Sequence, residues 1–215
     1  MLITDGVHLI DKVKGSHSFL VTDPKPFVVD TGLPGQEQVI LNYLKQTGIK
    51  LGELNGTILT HFDVDHVGSA VALQQLTGCP LYAHELEIPY ISGLSLRPGV
   101  KRWLPLLVRP IYGKLANPLK IEPVRDNDTF LDWEIIHTPG HTPGHIVLYR
   151  NGVGIVGDLL QGGDIRLAPA LFTWNASNLD KSVQKLLERP LRWILPGHGP
   201  ATAASGHWLD HFKRT

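Results

Sequence analysis

Residues 60–66 read Thr60-His61-Phe62-Asp63-Val64-Asp65-His66 and follow the apolar run Thr57-Ile58-Leu59. Four metal-capable side chains thus fall within six positions, directly behind a buried-strand signal. In an extended chain, positions 61, 63 and 65 point the same way. His66 stands just before Val67-Gly68-Ser69-Ala70-Val71-Ala72-Leu73, which reads as a helix. Two imidazoles and two carboxylates therefore converge at the C-terminal end of a strand. The carboxylates repel each other there unless a cation lies between them. A mixed nitrogen and oxygen donor set suits zinc, iron, manganese or cobalt. The competing reading is a polar loop whose His and Asp residues are incidental.

Three later segments weigh against incidence. Residues 138–145 read Thr-Pro-Gly-His141-Thr-Pro-Gly-His145, residues 153–158 read Val-Gly-Ile-Val-Gly-Asp158, and residues 193–199 read Trp-Ile-Leu-Pro-Gly-His198-Gly. Each delivers a metal-capable side chain at a glycine-rich strand end or turn, where the backbone can bend sharply or approach a site closely.

On these residues the chain resembles the metallo-β-lactamase-fold hydrolases, a superfamily that includes glyoxalase II thioesterases and homoserine-lactone lactonases. The resemblance runs from Val28-Val29-Asp30-Thr31-Gly32 to Pro196-Gly197-His198-Gly199-Pro200. The family pattern is His-x-His-x-Asp-His, then a distant His, a bridging Asp and a last His. The resemblance implies two divalent metal ions, the first held by His61, Asp63 and His141, the second by Asp65, His66 and His198, with Asp158 between them. It also implies a metal-bound hydroxide as nucleophile, formed because a cation lowers the pKa of water from about 15.7 toward about 7. The activity implied is hydrolysis of a small carbonyl substrate, an ester, thioester or lactone, with Asp65 as the proton-handling residue.

The departure from the pattern is Asp63, where the family commonly has His. Three carboxylates and a hydroxide neutralise two divalent ions, whereas a histidine at 63 leaves one positive charge. A weaker Lewis acid follows. Zinc is the simplest occupant, and the harder carboxylate moves the first site toward manganese or iron. The resemblance implies a supporting role for Asp30, holding a ligand or loop by hydrogen bonds; an ordinary turn or cap is the alternative. His84, His137 and His145 are candidates for contact near the site or for the core. His8, His17, His207 and His211 read as structural or solvated.

The elements that position these residues form two similar halves. Ser18–Val21, Phe27–Asp30, Thr57–Leu59 and Pro80–Ala83 read as strands in the first half; Gln36–Gln46, with Gly48 as its stop, reads as a helix. In the second half Trp133–Ile136, Ile146–Tyr149, Gly154–Val156 and Trp193–Leu195 read as strands. Asn178–Glu188 reads as a helix, capped by Asn178 or Ser177. The elements alone support α/β or α+β. The four-layer αββα sandwich, with the metal site at the strand ends between the halves, comes from the resemblance.

One domain over 1–215 is the default at this length, with a lid-like insertion at about 85–120. Within it, residues 97–120 carry six basic residues, no acidic one, four prolines, Trp103 and Tyr112. Three uses compete: a loop packed on the sandwich, a lid lining an apolar acyl pocket and steering an anionic substrate, and docking to a membrane surface or partner.

Lys and Arg number 20 and Asp and Glu number 20, and this balance argues against a general nucleic-acid binder. The single Cys79 forms no internal disulfide and fits a reducing cytoplasm. No secretory signal and no membrane-span run is visible, so a cytoplasmic protein is expected. No serine elbow or phosphate loop occurs. Two other readings stay open: an iron-dependent oxidoreductase of the same fold, and a non-catalytic, metal-stabilised protein that binds a membrane or partner.

Overall fold

Runs of β-branched and aromatic residues with no polar interruption need cover on both faces. Phe27-Val28-Val29 and Thr57-Ile58-Leu59 are such runs, and both are fully buried. The computed structural model describes residues 1–4, 6–96, 98 and 120–204. Trp103 and Tyr112 of the expected lid, and His207 and His211, lie outside the described residues.

The first sheet follows chain order: β1 (Leu2–Thr4), β2 (Val7–Leu9), β3 (Phe19–Val21), β4 (Phe27–Val29), β5 (Thr57–Leu59), β6 (Leu81–His84) and β7 (Ile121–Val124). Strands β1 to β4 form an antiparallel meander, and β4, β5 and β6 are parallel. Parallel neighbours require crossovers. Helix α1 (Glu37–Gln46) makes the first; α2 (Val64–Val67) and α3 (Ala70–Thr77) make the second. Ile40 and Leu44 of α1 bury beside Leu20, Val28 and Leu73, with Cys79 in the same cluster. Helix α3 ends on Gly78, whose φ of 70° supplies the left-handed cap. A short helix α4 (Ile88–Ile91) follows β6.

The second sheet has the order β15 (Thr202–Ala203), β14 (Trp193–Pro196), β11 (Val153–Gly157), β10 (Ile146–Arg150), β9 (Trp133–His137), β8 (Thr129–Phe130). A separate ribbon pairs β12 (Leu160–Gln161) with β13 (Arg166–Leu167). Strands β11 and β14 are parallel, and helix α5 (Ala176–Leu187) lies between them in the chain. Its Leu179, Val183 and Leu186 pack on Ile136, Val147, Val156 and Ile194. The cap of α5 is Asn175, not Ser177 or Asn178. Asn175 is extended, and its side chain accepts from Asn178 N at 2.9 Å. The two sequence candidates already sit inside the first turn.

The chain divides into two compact units, Met1–Ala83 with Ile88–Pro123, and His84–Glu87 with Val124–Thr215. Among the described residues, no helix is long and apolar enough to cross a membrane.

Candidate metal centre

Parallel pairing of β4 with β5 brings the residues that follow them to one end of the first sheet. Asp30, just past β4, has a φ of 57° and turns its carboxylate across that end. Its Oδ1 accepts from Thr60 N at 2.8 Å, and its Oδ2 accepts from Thr60 Oγ1 at 2.7 Å. Oδ2 also lies 2.7 Å from His66 Nδ1, so His66 carries its proton on Nδ1 and its lone pair on Nε2. Thr60 spends its single hydroxyl proton on Asp30. At 3.0 Å from His61 Nδ1 it can then only accept, which fixes the same tautomer on His61. The two rings lie 4.1 Å apart.

The chain after β5 is not extended. Asp63 stands at the N-cap position of α2, and Asp65 and His66 lie within its single turn. A break at Gly68–Ser69 then precedes α3. The expected alternation of 61, 63 and 65 along a strand is therefore replaced by a turn. Burial drives this: Phe62 and Val67 enter one apolar cluster with Leu59, Ala70 and Leu81, which an extended run does not permit. The turn is pinned from outside. His66 O accepts from Thr31 N and Oγ1, and Asp65 O accepts from Ser16 N and Oγ. Asp63 Oδ2 lies 3.5 Å from His61 Nε2.

In the second unit the β9–β10 connection carries His141. Gly144 N donates to the buried Glu87 carboxylate at 2.6 Å, Ser182 Oγ of α5 donates to Pro139 O at 2.7 Å, and Gly140 packs on Leu179. Asp158 follows β11, and His198 follows β14. The parallel pairing of these strands brings both residues to one end. Asp158 Oδ2 is 3.6 Å from His141 Nε2 and 3.6 Å from His198 Nε2.

His145 is one of three histidines whose part the sequence left open. Its Nε2 accepts from Asp158 N at 3.1 Å, so its Nδ1 carries the proton, 2.8 Å from Thr138 Oγ1. It ties the main chain of Asp158 to the His141 turn. Its one sequence signal is a histidine opening a wholly apolar strand start, where an imidazole must find partners.

His84 lies outside this arrangement. It is buried and stacked on His137, with ring centroids 4.1 Å apart and planes 11° apart. Burial, then the neighbouring His137, push its pKa down to about 4. An unfolded His84 takes up a proton near its ordinary value of 6.5, which the folded one refuses. Its contribution is thus present above pH 6.5 and is lost as pH falls toward about 4. Urea unfolding with chelator present should show His84→Leu losing about 2–3 kcal/mol less than wild type between pH 7 and pH 4. Equal losses would mean that His84 protonates freely in the fold.

The donor chemistry fits a metal. Two ligands about 2.1 Å from one ion in tetrahedral array lie about 3.4 Å apart. The His–Asp separations of 3.5 and 3.6 Å match that spacing and exceed a good hydrogen bond. His61, Asp63, Asp65, His66, His141, Asp158 and His198 are candidate ligands by type. The model of the metallo-beta-lactamase superfamily matches residues 11–198. The chain belongs to that superfamily. It has the family's mixed α and β fold with several sheets, as the sequence resemblance implied.

A relative in Bacillus subtilis (strain 168), "Probable metallo-hydrolase YflN", is 32% identical over 205 residues, covering 84% of this chain and 78% of its own. The hydroxyacylglutathione hydrolase of Shewanella halifaxensis (strain HAW-EB4) is 30% identical over 162 residues; the match spans 74% of this chain and 51% of that enzyme. Among solved structures, TTHA1623 in a di-iron-bound form matches with a TM-score of 0.72 and 28% identity, covering 93% of each chain. At the level of the superfamily, this is a metal-dependent hydrolase.

Asp30→Ala is expected to weaken metal binding by about 10- to 100-fold, because the His66 ring loses the carboxylate that orients it. Competition with a chromophoric chelator reads this directly. Unchanged affinity would make Asp30 a turn residue only.

Proposed function

We propose that this superfamily member hydrolyses a small carbonyl compound, an ester, thioester or lactone, and that residues 1–215 act as one functional domain. What chiefly supports it is the proton accounting above. His61 and His66 each present an Nε2 lone pair beside a carboxylate-rich turn, and Asp158 lies midway between two imidazoles of its own unit.

In this reading His61, Asp63 and His141 would hold one cation, Asp65, His66 and His198 would hold a second, and Asp158 would serve both. Such ions would supply Lewis acidity and a water that ionises near neutral pH. Asp30 and Thr60 keep the His61 and His66 protons on Nδ1, so that both rings stay neutral donors. His145 holds Asp158 in place through its main-chain N–H. Asp65, partly exposed on α2, takes the proton of the attacking water on its carboxylate and returns it to the leaving group. The metallo-hydrolase name of YflN and the hydroxyacylglutathione hydrolase name of the Shewanella enzyme agree with this choice without assigning a substrate.

The test joins elemental mass spectrometry to a panel of esters, thioesters and lactones, with a phosphodiester as outsider. About two divalent ions per chain are expected, with carbonyl hydrolysis that chelation removes and metal restores. Faster turnover of the phosphodiester would overturn the substrate class. The di-iron form of TTHA1623 favours one second reading. Bound iron with oxygen uptake and no hydrolysis would select the oxidoreductase. Replacing Asp63 with His should raise zinc over manganese in the recovered metal, since an imidazole is the softer donor. An unchanged metal profile would take Asp63 out of the ligand set.

A further inference from the structure

Between Asp158 and α5 the chain makes an excursion whose main chain touches each of the three candidate ligands of its unit. It leaves directly from Asp158 into the β12–β13 ribbon. At the ribbon's turn, Gly162 N donates to His198 O at 2.9 Å. A side chain at Gly162 would collide with the carbonyl of Pro200, so this approach needs glycine. At its far end, Trp174 N donates to His141 O at 3.2 Å and Asn175 N to Gly140 O at 2.8 Å. A segment that leaves from Asp158 and is hydrogen-bonded to the backbone of His198 and His141 forms a rim beside the three candidate-ligand residues.

That rim is apolar where it meets solvent. From Leu167 to Leu179 there is no charged residue. A 3-10 turn at Ala170–Phe172 leaves Leu171 66% exposed and Phe172 41% exposed, and Trp174 beside it is 46% exposed. The turn is ordered in advance: Phe172 N donates to Pro169 O at 2.9 Å, and Thr173 Oγ1 donates to the same carbonyl at 3.2 Å. Three large apolar side chains held open to water on one braced turn mark a candidate binding surface.

We propose that Leu171, Phe172 and Trp174 form the wall on which the apolar acyl part of the substrate lies, so that the protein selects medium-chain acyl esters or thioesters over acetyl ones. This rests on the carbonyl-hydrolase reading and adds the substrate's apolar half to it. The occupant is a small acyl group because the surface is continuous, through the main chain, with the ligands of the reacting centre. It is also only a few side chains wide.

Burying one methylene against such a wall favours binding by about fourfold. The metal-loaded wild type should therefore turn over a hexanoyl ester or thioester at least about tenfold better than its acetyl counterpart in kcat/KM. Phe172→Ala with Trp174→Ala should cut this hexanoyl-to-acetyl ratio by about tenfold, mainly through KM, while Trp174→Phe restores most of it. Leu51→Ala, at another exposed apolar residue, should leave the ratio as in wild type. Circular dichroism confirms that each variant is folded. The second readout needs no turnover: calorimetry on chelated protein should show hexanoate binding more tightly than acetate, with the difference lost in the double variant.

The outcomes separate. Turnover of esters with an unaltered ratio in the folded double variant overturns the wall and leaves the hydrolase reading standing. No carbonyl turnover, but a hexanoate preference that the double variant loses, sinks the hydrolase reading and supports the wall. Binding to phosphatidylcholine vesicles that the double variant loses, with the acyl ratio unaltered, assigns the surface to lipid and overturns the proposal.

Discussion

Asp158→Ala is expected to lower the proposed carbonyl hydrolysis by more than about 10³-fold, beyond the loss of a single oxyanion donor, and to leave the chain folded. The size follows from position. The carboxylate lies 3.6 Å from both His141 Nε2 and His198 Nε2, so one truncation removes the group that both imidazoles share. The fold survives because the strand that carries Asp158 is held by other means. Residues Val153–Gly157 are all buried and paired on both edges. The main-chain bond from Asp158 N to His145 is independent of the side chain. Steady-state rates, metal per chain and a thermal melt on the same preparation test all three parts. Turnover within threefold of wild type would end the shared-ligand role.

Gly140→Ala should cost about 2–6 kcal/mol and displace His141, because two penalties add. The φ of 145° is one that side chains rarely adopt. A Cβ there would also press into the backbone of Leu179 and approach its side chain to 2.7 Å. The Thr-Pro-Gly turn can therefore relax only by lifting off the first turns of α5, and His141 moves with it. Gly35→Ala serves as the control. Gly35 also has a positive φ, 84°, but no atom lies within 4 Å of its would-be Cβ, so it reports backbone strain alone. Urea midpoints of the two variants with chelator present give the difference. If Gly140→Ala loses no more than Gly35→Ala, packing on Leu179 is not what holds the turn.

Much of the frame that carries these residues was readable from local pattern. Phe27-Val28-Val29 and Thr57-Ile58-Leu59 are apolar without interruption, as strands covered on both faces must be. The helical spacing of Ile40 and Leu44, with Gly48 beyond, marks α1. The candidate donors stood out because each follows such a run at a glycine-rich end. Strands β1, β2, β7, β8, β12, β13 and β15 were not legible. They are two to four residues long, and their mixed polarity carries no usable period. The turn at Asp63–His66 was misread for a different reason. Its direction is set by where Phe62 and Val67 find apolar neighbours, and those neighbours come from α3, α4 and β6. The cap of α5 shifted by a few residues because Asn175, Ser177 and Asn178 are all good caps, and only the backbone angle of Asn175 decides among them. Leu171-Phe172-Thr173-Trp174 is the least legible stretch. Nothing in its large apolar residues signals that Leu171, Phe172 and Trp174 lie on the surface.

On the proposed ligand set, the parallel pairing of β11 with β14 also bears on when a metal can be taken up during synthesis. Asp158 and His198 meet at one strand end only after the chain has passed through the ribbon, the apolar turn and the whole of α5. A nascent chain that has emerged as far as α5 holds His61, His66, His141 and Asp158 but has no β14 to bring His198 to Asp158. Tight loading is then a late event, coupled to completion of the second sheet. On that set, the cell's free metal pool meets a finished acceptor and not a partly made one.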